Sequence, residues 1–360
     1  MLALCVGTQA LHAQQGVRQI NLVADRPGWA AHTDPNLINP WGISFSPTSP
    51  FWISNAGTGT STLYNSTGTP LPLVVHIPGA PTGQVFTGGA FAGDPFVFAT
   101  ANGTIAGWRG ALGTNAETLY TSPDASSSYL GIAFATTTTG SYLYAANFGA
   151  GRIDVVNTLG LASLPGSFSD PNLPAGYSPF NIQKIGNELY VTYALRGSDG
   201  DEVVGMGNGY VDKFDLDGNL LARVASNGPL NAPWGMAIAP TSFGKLGGSL
   251  LVGNFGDGTI HAYDPTSGDF IGTLRDSFGG TLSIDGLWAL TFGNGGNGGD
   301  PNKLYFTAGP EDETHGLVGS LSPVPEPAVT GAVAGVALMG LCVARMRKKR
   351  AKIQSQPAQA

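Results

Sequence analysis

Residues 250–264 read LLVGNFGDGTIHAYD. An apolar run, Leu250-Leu251-Val252, leads into Asn254-Phe255-Gly256-Asp257-Gly258, where the Asp-Gly pair supplies the positive φ angles of a tight primed turn. Thr259-Ile260-His261-Ala262-Tyr263 then alternates apolar and polar as a half-buried strand does, so the stretch predicts a β-hairpin. The phrase recurs as YLYAANFGAGRIDVVN at 142–157, FWISNAGTGTSTLYN at 51–65 and FVFATANGTIAGW at 96–108. One supersecondary phrase repeated at this period signals blades or solenoid units.

The units are counted by the strand that opens each: Trp41 to Phe45, a weaker Gly88 to Ala92, Leu130 to Phe134, Phe180 to Lys184, Trp234 to Ala239 and Gly286 to Thr291. In the fifth, Trp234 to Ala239, Ser249 to Gly253, Thr259 to Tyr263 and Phe270 to Leu274 make four short antiparallel strands. Four strands repeated six times predict an all-β, six-bladed β-propeller over residues 17–322. The sixth unit offers only Gly286 to Thr291, Lys303 to Thr307 and Gly316 to Leu321. The isolated strand Val17 to Ala24 is expected to fill its vacant outer place and close the ring.

Composition agrees. Among 360 residues 42% are hydrophobic and 11% charged, enough to bury a large core, and 54 Gly with 25 Pro favour short strands and turns over helices. Six basic residues, Arg345, Arg347, Lys348, Lys349, Arg350 and Lys352, follow Pro327 with no acid among them. Upstream stand 11 Lys and Arg against 24 Asp and Glu, a net charge of −13. Such a body repels nucleic acid. Cys5 and Cys342 lie in the terminal segments, which leaves no thiolate site between them.

Chemistry is harder to find. In a propeller the loops leading into the innermost strands share a face with the turns between second and third strands. That face would carry Asn55, Asn147 and Asn254 from the turns, with His32, Asp34, Asn181 and Asp285 from the leading loops. These oxygens suit Ca²⁺; an Asn beside Gly is also a plain turn residue, which suffices for the three asparagines. Asp199-Gly200-Asp201-Glu202 and Glu311-Asp312-Glu313-Thr314-His315 are acidic loops that either bind a cation or basic partner or are simply solvated. Asp215-Leu216-Asp217-Gly218-Asn219 lacks the later Glu of a calcium loop and is expected as a turn. No G-x-S-x-G elbow or H-E-x-x-H pair occurs, and His261 sits in a strand. Trp41, Trp234 and Trp288 either stack on sugars or pack between blades, and their recurrence at one position favours packing.

Two resemblances add to this. Residues 143–156, LYAANFGAGRIDVV, resemble the NHL-type propeller repeat. The N-P-W-G at 39–42 and N-A-P-W-G at 231–235 look like those of a family of bacterial surface propellers. These imply fold and not chemistry, whereas the Asn and Asp oxygens at the channel mouth resemble those with which six-bladed lactonases of the gluconolactonase type hold Ca²⁺ in their channel. At the C-terminus, Val324-Pro325-Glu326-Pro327, the uncharged run Ala328 to Ala344 and the basic Arg345 to Arg350 resemble a PEP-CTERM sorting tail. That implies a transmembrane helix at 328–344, a cytoplasmic tail at 351–360, an exosortase as processing partner, and an exported, initially membrane-anchored protein among extracellular polysaccharides. Residues 1–13, MLALCVGTQALHA, look like the end of a signal peptide without its basic start; a buried strand is the alternative. The expected function is a non-catalytic glycan- or protein-binding module. A Ca²⁺-dependent hydrolase or lactonase and a purely structural matrix protein are the alternatives.

Overall fold

The computed structural model describes residues 15–324. Among them the alternating patterns form strands, and the only helical elements are two short 3-10 turns, Gly110–Leu112 and Gly244–Leu246. The strands fold as antiparallel meanders of four. In the fifth unit these are Pro233–Ile238, Leu250–Asn254, Ile260–Tyr263 and Phe270–Arg275, and the hairpin pairs Leu251 with Ala262 and Gly253 with Ile260. Units one to four are separate four-stranded sheets. They open with Pro40–Ser44, Pro81–Phe86, Tyr129–Thr137 and Tyr177–Ile185, and their outer strands are Pro70–His76, Glu117–Thr121, Gly160–Leu161 and Leu220–Ser226.

The sixth unit contributes Leu287–Phe292, Leu304–Ala308 and Leu317–Pro323, and Gln15–Ala24 from the start of the chain takes its outer place. Val17 pairs with Pro323 and Ala24 with Leu317 in antiparallel register. The same strand bridges Gln15 to Leu274 of unit five, which fuses units five and six into one nine-stranded sheet. The six leading strands touch in order, and that of the sixth unit meets that of the first. The result is an all-β ring of propeller-like form, whose radial repetition leaves only short edges.

Apolar side chains fill the seams between adjacent units. Trp52 shares a buried cluster with Phe96 and Phe98 between the first and second, Tyr144 with Phe214 between the third and fourth, and Leu251 with Phe306 between the fifth and sixth. A further cluster occupies the centre of the ring. The leading strands approach so closely there that side chains are excluded. A Cβ on Gly42 would lie 2.7 Å from the Thr82 carbonyl oxygen, and one on Gly235 would lie 2.3 Å from that of Trp288.

Two expectations need correction. The leading strand of the second unit is Pro81–Phe86, not Gly88 to Ala92, which turns with positive φ at Gly88, Gly89 and Ala92. Pro81 pairs with Thr100 as Pro40 pairs with Asn55 and Pro233 with Asn254, so Thr82 and Gly83 hold the places of Trp41 and Gly42. The C-terminal membrane anchor is the other. Among the described residues no helix is long and apolar enough to cross a membrane. The expected signal at 1–13, the helix at 328–344, the basic cluster Arg345, Arg347, Lys348, Lys349 and Arg350, and the tail at 351–360 all lie outside the described residues. Of the expected sorting motif only Val324 is described, as the last residue, whereas Pro325, Glu326 and Pro327 lie outside.

Candidate functional site

Register makes Trp41, Leu130, Phe180, Trp234 and Trp288 equivalent, each the residue that follows the pair at which the register of its leading strand shifts. They form one cluster with Phe148. Trp288 stacks on Trp41 with ring centroids 3.5 Å apart and on Phe255 at 4.1 Å, and Trp234 meets Trp41 and Trp288 edge-on at 5.9 and 5.8 Å. The Trp234 indole donates to the Leu130 carbonyl at 3.2 Å. The tryptophans thus pack against one another on the axis rather than in the seams. At 7, 4 and 0% exposure, Trp41, Trp234 and Trp288 offer no broad face to a sugar.

This aromatic plug divides the channel into two cavities. The lower, about 480 Å³, lies at the far ends of the leading strands. Ile43, Val85, Ile132 and Leu290 line it, together with Ser44, Gln84, Asn181 and Lys184. Its polar groups are largely engaged within the protein. Gln84 donates to the Gly42 carbonyl, Asn181 donates to that of Trp234, and Lys184 donates to that of Gly186.

The upper cavity, about 550 Å³, is of opposite character. Trp41, Leu130, Phe148 and Phe255 line it with apolar surface, and Asp201, Glu202, Asp285, Asp312 and Glu313 bring carboxylates to it. Asp201 and Glu202 come from the insertion between the second and third strands of unit four. Asp285 precedes the leading strand of unit six, and Asp312 and Glu313 lie in the turn between that unit's second and third strands. Among the described residues no ion pair joins any of the five to a cation.

The turn that presents Asp312 and Glu313 is left-handed, with φ of 55, 53 and 62° at Glu311, Asp312 and Glu313. L-residues adopt this conformation at a cost of about 1–2 kcal/mol each, so the surroundings must hold it. The Glu313 amide donates to the Gly309 carbonyl at 3.1 Å and the Glu311 amide donates to the Asp285 carboxylate at 2.9 Å. Arg26 pairs with Glu311 at 3.1 Å, while His315 Nδ1 lies 2.6 Å from the Asp25 carboxylate. From the plug, the Trp288 indole donates to Asn39 Oδ1, and Asn39 Nδ2 donates to Glu313. Crowded acids on half-buried sites resist ionisation. Burial first, and then repulsion by Glu313, Asp201 and Asp199, pushes the Glu202 carboxyl up to about 7; burial likewise raises Glu313.

The residues proposed from sequence are scattered across this arrangement. Asp285 reaches the upper cavity and Asn181 the lower. Asn55, Asn147 and Asn254 are wholly buried. Asn55 donates to the Thr60 and Thr62 hydroxyls, Asn147 donates to Ser127 and Asp154, and Asn254 donates to the Pro229 carbonyl and Thr259. Asn147 also accepts from the Ser128 amide and Asn254 from that of Asn231, which ties each turn to the loop before its leading strand. These asparagines fix turns. Asp34 accepts from the Tyr64 hydroxyl at 2.8 Å and from the Asn36 amide, and His32 lies in a two-residue strand beside Val23. His261 is held between Thr259 and Thr273, and burial pushes it down to about 4, which leaves it neutral. Asp215 accepts from the Asp217 and Asn219 amides, a turn as expected.

No protein-family model matches the chain. Over 326 residues it is 35% identical to "Uncharacterized protein R648" of Acanthamoeba polyphaga mimivirus, covering 83% of this chain and 78% of that protein. It is 33% identical to "Uncharacterized protein L690" of the same virus over 325 residues, covering 83% and 84%. These viral relatives correct the expected kinship with bacterial PEP-CTERM-sorted surface proteins. Among solved structures, an auxiliary nutrient binding protein from Bacteroides ovatus superposes with a TM-score of 0.57 at 10% identity, covering 87% of this chain and 78% of that one. Virginiamycin B lyase from Staphylococcus aureus superposes with a TM-score of 0.51 at 15% identity, covering 86% and 99%. At such identities the likeness reaches the fold and neither activity.

Proposed function

We propose that this chain, which belongs to the family of the mimivirus proteins R648 and L690, is a six-bladed propeller that binds a glycan or protein at the upper mouth of its channel and does no chemistry on it. Support comes from one observation: five carboxylates without an ion partner meet an apolar floor at a cavity of about 550 Å³. A concave site with apolar walls and a few convergent polar groups is where ligands usually bind. Calcium-dependent hydrolysis has less support, because among the described residues no three His, Cys, Asp or Glu side chains are placed to hold a metal ion.

The test is a ligand screen against the full chain, read by the unfolding midpoint, with Phe255→Ala at the upper mouth and, at Gln183, which also lines the lower cavity, Gln183→Leu as parallel variants. A stabilising glycan or peptide should lose its effect with Phe255→Ala and keep it with Gln183→Leu. The opposite pattern would move the site to the lower cavity and end this reading.

A further inference from the structure

Resting on the upper mouth as the binding site, we infer that its ligand is a polypeptide segment bearing a lysine or arginine, taken with the cation among the carboxylates and the aliphatic stem on the aromatic floor. Charge is the first ground. Asp201, Glu202, Asp285, Asp312 and Glu313 come from three separate loops to one cavity, with no described cation paired to any of them. A neutral sugar would leave that repulsion in place, whereas a single ammonium or guanidinium offsets it.

The floor supplies the second ground. Phe255, the half-buried member of the floor that it forms with buried Trp41, Leu130 and Phe148, is suited to the methylene stem of a basic side chain, and its ring attracts the charged end.

The lip of the cavity is the third. The insertion that carries Asp201 and Glu202 also displays Val203, Val204 and Met206 at 39, 53 and 83% exposure, and Val204 lines the cavity itself. Exposed apolar side chains next to a charged mouth match a polypeptide whose basic residue has apolar neighbours better than they match a polysaccharide.

Calorimetric titration of the full chain with acetyl-Leu-Lys-Leu-amide tests this, set beside the same peptide with norleucine for lysine, butylamine, and a chitosan tetramer. The lysyl peptide should bind saturably and about tenfold or more tighter than the other three probes. Asp201→Asn with Glu202→Gln should weaken it by about tenfold, and Asp312→Asn, on a different unit, should weaken it in the same direction. Each variant is first checked for an unchanged unfolding midpoint at pH 5, and Asp312→Asn alone carries the test if the double variant unfolds. Equal binding of the norleucine peptide, lost with Phe255→Ala, would overturn the cation while leaving the upper mouth as the site. Equal binding of butylamine would overturn the peptide, and tighter binding of the chitosan tetramer would replace it with an amino sugar. Affinity unchanged by Asp312→Asn and by Phe255→Ala would overturn both this inference and the site it rests on.

Discussion

The two ends of the channel are built from the same six leading strands and have opposite chemistry. The lower end is bounded by the strands themselves, whose side chains must alternate between the channel and the seams, and apart from the Ser44 hydroxyl its polar groups turn largely to neighbouring backbone. The upper end is bounded by loops, which are free of that alternation, and there the chain gathers carboxylates with no cation partner. Within one ring, then, the strands supply a closed scaffold and the loops supply a surface with unmet electrostatic demand. The tryptophan plug keeps the two apart.

Removing residues 15–24 should break both ends at once. That strand completes unit six, bridges unit five, and buries Val17, Val23 and Ala24 in the seams. The truncated chain is expected to lose its cooperative thermal transition, with protease sensitivity throughout; a transition like the parent's would show that the ring does not need this closure.

Trp288→Ala should come next, because it opens the wall between the two cavities. Trp288 is fully buried and sandwiched between Trp41 and Phe255, so its loss should cost about 3–5 kcal/mol. Denaturant titration measures this, and a loss below 1 kcal/mol would mean that the plug collapses without penalty.

A smaller effect should separate the ends by pH. A carboxyl whose pKa is raised in the folded state stabilises the fold below its unfolded value, here 4.5, and that stability is lost as pH rises through about 7. Glu202→Gln should therefore gain unfolding midpoint relative to the parent at pH 8 and not at pH 4, while Gln183→Leu in the lower cavity should show no such trend. Parallel profiles for Glu202→Gln and the parent would remove the electrostatic half of the contrast.

The smallest change is expected from Ser44→Ala. The Ser44 hydroxyl is buried at the lower cavity without a partner, so deleting it should shift stability by less than about 0.5 kcal/mol, in either direction. A loss above 1 kcal/mol would reveal a partner for that hydroxyl and a lower end less passive than described.

Legibility in the sequence followed the range of the interactions. Leu250 to Tyr263 was readable because a hairpin is settled by alternation and by Asp-Gly within a few residues. Pro81–Phe86 was not, since Thr82 and Gln84 stand where other units place apolar residues, and a neighbouring glycine pair drew the boundary toward a turn. Asn55, Asn147 and Asn254, expected in the hairpin turns, are instead the last residues of the strands before those turns, and their complete burial depends on contacts that the local pattern does not show. The carboxylates of the upper mouth were visible as two acidic loops and a separate Asp285, with nothing local to say that they meet.

The sequence by itself determined the unit, its repetition and the strand that closes the ring, because period-two patterning and turn residues act over a few positions along the chain. Only the tertiary structure decided what meets at the centre. Trp41, Trp234 and Trp288 pack together, and Asp201 and Asp312 share a cavity, because six units packed side by side bring their leading strands to one axis, however far apart those strands lie in the chain.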